Sequence, residues 1–192
     1  MRKFLAPVLF VFTAAALLTG CKKNAESSLT PVTLNEVAHS IFYAPQYAAI
    51  ELGYFEEEGI DLTLVNGAGA DKVMTALVSG DADIGFMGSE ASIYTYIQGD
   101  DDYAVNFAQL TQRAGNFLVG RTPEADFKWE NLIGKKVLGG RAGGMPQMVF
   151  EYILKKHGMD PKTDLSIDQS INFGLTAAAF TSDDADYTVE FE

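Results

Sequence analysis

The sequence predicts an α/β fold, and three observations carry that expectation. Between residues 34 and 88, three short apolar runs (Leu34 to Ala38, Ile60 to Val65, Ala82 to Phe86) alternate with two helical patterns. Each run ends in small or polar residues just before a helix can start. The helices also carry punctuation, with Pro45 at a first-turn position and Gly53 and Gly80 where helices close. This is the layout of a parallel sheet covered by helices, whose ligands collect outside the carboxyl ends of the strands.

The elements follow in order. Tyr54 to Gly59 turns the chain from the first helix into the second strand. Ala70 to Ser79 places Val73, Met74 and Leu77 at helical spacing ahead of Gly80. Asp81 to Gly88 reads as a turn and a buried strand, with Gly88-Ser89 opening a third helix. Tyr103 to Leu110 reads as a fourth strand, broken by Thr111 to Asn116, and Phe117 to Arg121 as a further short one. Trp129 to Val137 reads as a short helix leading into a strand that ends in glycines. A helix opening near Met145-Pro146 carries Val149, Ile153 and His157 and closes at Gly158. A strand around Leu165 to Asp168, a helix from Asn172-Phe173 and a last buried strand from Asp186 complete the chain.

HSIFYAPQYAAIELGYFEEEGIDLTLV, followed by ADKVMTALVSGDADIGFMGSEASI, resembles the solute-binding proteins of bacterial ABC importers. The nearest branch takes up nitrate, alkanesulfonates, and thiamin-pyrimidine or flavin-like compounds. The resemblance runs from about Val32 to the last residue, and its motifs are specific to the superfamily but not to one ligand. It implies a type II periplasmic-binding-protein fold, with two α/β lobes around a cleft, residues 32–112 forming the first lobe and 113–192 part of the second. The partners it implies are a small-molecule solute and the permease of an ABC importer.

Residues 1–20 read as a signal peptide rather than as part of the fold. Arg2 and Lys3 precede an apolar run, Phe4 to Leu18, that is short for a membrane span. Leu18-Thr19-Gly20-Cys21 is similar to the bacterial lipoprotein processing box, which makes Cys21 the expected lipidation site and the membrane a partner through its acyl chains. A chance cysteine after an ordinary secretory signal, or an uncleaved anchor, is the alternative. Residues 21–31 are polar and read as a tether.

Cys21 is the chain's only cysteine, which excludes an internal disulfide, a Cys-rich zinc site and a CxxC redox motif. No metal site or cofactor is expected. Without Arg2 and Lys3 the chain has 12 Lys and Arg against 26 Asp and Glu, a formal −14. Such a surface repels nucleic acid and needs no explanation beyond solubility.

Candidate site residues lie in the loops after the strands. His39, Ser40 and Tyr43 follow the first strand, where they either touch a ligand or bond locally and pack the helix. Asn66 and Gly67 follow the second, in a loop with free helix-start N–H groups or in a plain turn. Ser89 and Glu90 open the third helix. Ser89 caps it or donates to a ligand. Glu90 suits the helix dipole, and in a cleft it accepts from N–H groups and disfavours nitrate or a sulfonate. Arg113 and Asn116 line the cleft floor or satisfy loop carbonyls. Arg141, Gly143 and Gly144 hold an acidic or carbonyl group, or the glycines serve close packing and Arg141 meets solvent. Glu190 and Phe191 are weaker candidates, assigned to the cleft by the resemblance, and His157 is expected to be structural.

The last strand is the chain's end, whereas members of the resembled family continue through the second lobe. The expectation is therefore an incomplete second lobe, either in a fragment or in a short form completed by association. The leading function is capture of a flat N-heterocycle, such as a thiamin-pyrimidine or flavin-type compound, with nitrate, alkanesulfonate or taurine as the alternative. An enzyme similar to the thiamin-pyrimidine synthases is disfavoured by the secretion signal, and HExxH, Gly-x-Ser-x-Gly and a cysteine–histidine set are all missing. A relative that no longer transports is a third possibility.

Overall fold

A computed structural model describes residues 29–99, 101–172, 174–182 and 184–191. The signal segment and Cys21 lie outside the described residues. The first strand, β1 (Thr30–Glu36), begins inside the stretch read as tether. Thr30 pairs with Ile60 and Pro31 with Asp61.

Three parallel strands make the first sheet, in the order β2-β1-β3, with β2 at Ile60–Asn66 and β3 at Ile84–Phe86. Leu34 in the central strand sits between Leu64 and Ile84. Helix α1 (Ala44–Glu51) starts with Pro45 in its first turn, where a missing N–H costs nothing. Gly53, at φ 76°, turns the chain into the short helix α2 (Tyr54–Glu57). Helix α3 (Ala70–Ser79) ends where Gly80 takes a left-handed conformation. It buries Val73 and Met74, and Val73 clusters with Val37, Ala38 and Tyr43. Helix α4 (Glu90–Ile97) completes this half.

The second sheet has the order β4-β7-β5-β6, with β4 at Asn116–Gly120, β5 at Lys136–Leu138, β6 at Ser166–Asp168 and β7 at Tyr187–Phe191. Only β4 runs antiparallel, against β7. Helix α5 (Met145–Lys156) buries Phe150 and Leu154 on a core that includes Leu132, Val137, Leu165 and Tyr187. Helix α6 runs Thr176–Ser182, four residues later than the start expected at Asn172-Phe173, and Phe173 lies outside the described residues.

One expected strand is not formed. Tyr103 to Leu110 has the alternation of a strand, yet it is irregular, with Val105 and Phe107 about three-quarters exposed. A strand exists only with a neighbour to pair with, and this segment pairs with no strand of either sheet. His157 stands just past the last residue of α5, ahead of the left-handed Gly158 expected to close the helix, with its ring 5.6 Å from that of Trp129 and its Nδ1 3.8 Å from Glu130.

Candidate functional site

The loops after β1 and β5, the first residue of β4, the end of β7 and the start of α6 line a cavity of about 210 Å³. His39 and Ser40 contribute from the β1–α1 loop, Asn116 from the start of β4, Arg141 from the β5–α5 loop, and Glu190 and Phe191 from β7. These six sequence candidates therefore meet in one place. Thr176, at the start of α6, joins them without having been foreseen.

Beneath the cavity is a buried carboxylate. Glu36, the last residue of β1, is 1% exposed. Its Oε2 accepts from Gln46 Nε2 at 3.1 Å and from the Tyr47 hydroxyl at 2.9 Å, while His39 Nδ1 lies 3.0 Å from Oε1. The His39 ring also packs on Tyr47, with centroids 4.4 Å apart. His39 is thus held at the cavity wall by local bonds, with most of its ring exposed. Ser40 Oγ accepts from the Phe42 N–H and its own N–H donates to Tyr47.

On the facing side, Glu190 accepts from the Thr176 hydroxyl at 3.0 Å and from the Thr188 hydroxyl at 2.6 Å. Two hydroxyl donors fix this carboxylate without neutralising it. The Asn116 Nδ2 is buried without a partner. A buried amide donor left unpaired costs free energy, so a group that accepts from it stabilises the closed cleft.

Arg141 does not present itself to the cavity as a free cation. Its guanidinium is paired in bidentate fashion with Asp71 on α3, 70 residues away, with Nη2 to Oδ2 at 2.8 Å. The pairing holds the Asp71 carboxyl below its ordinary range and raises Arg141. Gly69, at φ 147°, leaves the space this guanidinium fills. The N–H groups expected beside Arg141 are also taken, Gly143 by Gln147 Oε1 and Gly144 by the Arg141 carbonyl. The anion cradle expected at Arg141, Gly143 and Gly144 is instead a latch between the two lobes.

Other candidates sit elsewhere. Asn66 Oδ1 accepts from the Ala68 N–H in a local turn, and a side chain at Gly67 would strike Asn35 and Val73. Tyr43 is buried against Phe86 and Phe191, and burial pushes its hydroxyl up to about 12. Arg113 is exposed away from the cavity. Ser89 precedes α4 without a side-chain cap, and Glu90 is buried outside the cavity lining. Sequence reasoning passed over Glu36, Asp71 and Thr176 as site residues. The available signal for Glu36 was a charge at the carboxyl end of a buried parallel strand, where ligands collect.

The latch yields a testable expectation. Asp71 has a depressed carboxyl in the folded state, so its contribution is present above the unfolded value near 3.9 and is lost as pH falls through the lower folded value. Asp71 is well exposed, so the effect on global stability is small, and lobe geometry is the sensitive readout. Small-angle scattering of Arg141→Ala at neutral pH should show a larger radius of gyration than the parent. The parent should approach that value only at pH below the ordinary carboxylate range. Equal radii at neutral pH would mean the pair does not hold the lobes.

This arrangement, two α/β lobes with polar loops meeting over a small cavity, is the architecture of periplasmic binding proteins. Residues 41–191 match the family model described as NMT1/THI5 like, and the chain belongs to that family. It is 50% identical over 175 residues to a Bacillus subtilis (strain 168) protein described as "Putative binding protein YtlA", covering 91% of this chain and 52% of that one. Two solved structures share the fold. One is a Bordetella bronchiseptica RB50 protein, 23% identical with a TM-score of 0.66 over 85% of this chain and 51% of that chain. The other is the periplasmic aliphatic sulphonate binding protein SsuA of Escherichia coli, 15% identical with a TM-score of 0.56 over 85% and 54%. The chain spans about half the length of these relatives.

Proposed function

We propose that the chain is an extracytoplasmic solute-binding protein, held at the membrane by lipid on Cys21, that captures a small flat N-heterocycle for an ABC importer. Capture is a closure of two lobes with no bond made or broken, and the binding-protein descriptions of its relatives support a binder over an enzyme. The observation that carries the ligand class is the charge arrangement of the cleft. The guanidinium at its wall is engaged by Asp71, whereas the Glu190 carboxylate lines the cavity. A ring bearing N–H donors is served by Glu190, and a ring nitrogen or carbonyl accepts from Asn116. Nitrate, sulfonate or taurine brings an anionic group to a wall that, among the described residues, offers no lysine or unengaged arginine to meet it. A cavity of about 210 Å³ suits a single ring such as an aminopyrimidine better than a flavin.

The test has two arms. The chain expressed with its leader should sediment with membranes and Cys21→Ser should release it, which no change in the cleft can mimic. Purified protein is then unfolded thermally with aminopyrimidines, flavins, nitrate, sulfonates and taurine. A ligand that binds only the folded state raises the transition in proportion to the logarithm of its concentration. An upward shift with aminopyrimidines alone supports the reading, and a shift confined to sulfonates or nitrate overturns the ligand class.

A further inference from the structure

The first turns of two helices from opposite lobes converge on one side chain. Helix α4 begins at Glu90 and helix α5 at Met145. Glu90 Oε1 accepts from the Met145 N–H at 3.1 Å. Burial raises the Glu90 carboxyl above its ordinary range, and the backbone N–H groups of Glu90 itself and of Met145 oppose that rise. The carboxylate therefore takes the first backbone amide of both helices. Neither helix has a side-chain cap of its own, since Ser89 and Gly144 provide none. Glu90 is only 3% exposed, and its Oε2 is buried with no hydrogen-bond partner. Tyr43 is the titratable group beside it. Gly88 leaves the room, because a Cβ there would fall on the Glu90 carboxylate.

Helix N-termini carry partial positive charge and unpaired N–H groups, which is what a small oxyanion needs. Here two such ends face each other across the lobe boundary, and a carboxylate of the chain itself lies between them. We infer that Glu90 is a tethered anion occupying an oxyanion position between the lobes. It excludes a free oxyanion both by volume and by charge. Removing the carboxylate while keeping the helices leaves a site for a small carboxylate or sulfonate. The inference concerns what the protein rejects and requires no particular solute, so failure of the heterocycle panel would leave it standing.

The experiment is thermal unfolding of the full chain and of Glu90→Ala, Glu90→Ser and Glu90→Gln. Sodium formate or sodium methanesulfonate is added at constant ionic strength, with sodium chloride as control. Alanine and serine variants should melt below the parent and recover saturably with formate or methanesulfonate, but not with chloride. Their affinity for either anion should exceed the parent's by about tenfold or more. The Gln variant keeps an oxygen for the Met145 N–H and fills the space, so it should not respond. Equal anion responses of parent and alanine variant overturn the inference. So does the lack of a cooperative transition in both small variants even with excess formate, because a free anion would then fail to replace the tethered one.

Discussion

Replacing Glu36 with alanine is expected to cost about 3 kcal/mol of unfolding free energy, a large share of what a chain of this size has. The side chain is 1% exposed and serves Gln46, Tyr47 and His39 together. Truncation leaves the Gln46 amide, itself 5% exposed, without its acceptor in a site that water does not reach. The figure sits at the low end for a broken buried pair because the His39 partner is mostly exposed. Glu36→Gln keeps an oxygen in place and should fall between parent and alanine. Urea unfolding checks this, with a lower midpoint and an unchanged slope. An alanine variant within about 0.5 kcal/mol of the parent would show that the network adds nothing. The same substitution frees His39 from the cavity wall, so solute affinity should fall as well.

Leu154→Ala should destabilise the second lobe by about 2–5 kcal/mol. Leu154 is fully buried on α5, within the cluster of Leu132, Val137 and Phe150 that holds the helix to its sheet. The loss combines removed apolar area with the cavity left behind, and close-packed neighbours collapse only partly. Tyr152, on the same helix but 59% exposed beneath the Lys156 ammonium, is the control and should change stability by no more than about 0.5 kcal/mol. Similar losses at both positions would mean that the α5 face is assigned wrongly.

Much of this fold was legible because its signals are local. Gly80 marked the end of α3 to the residue, and the apolar run from Ile60 matched β2. Pro146 and the glycines before it placed the start of α5. What failed depended on partners distant in sequence. The alternation of Tyr103, Val105 and Phe107 is that of a strand, but pairing is decided by a neighbour that the pattern does not contain. Arg141 beside glycines resembles an anion cradle until Asp71 arrives from the other lobe. Glu90 was read correctly as a carboxylate at a helix start, yet nothing near it in sequence revealed that the start of α5 would meet it. Glu190, one of the two weaker candidates, lines the cavity because β7 lies at the centre of its sheet beside β4 and β5.

The central claim is that the cleft closes on a solute read by Asn116 and Glu190. Calorimetric titration of an aminopyrimidine into the parent, Asn116→Ala and Glu190→Gln tests it most directly. Saturable one-site binding by the parent, weakened about tenfold or more in each variant, is the expected result. Binding of equal strength in all three proteins, or in none, would contradict it.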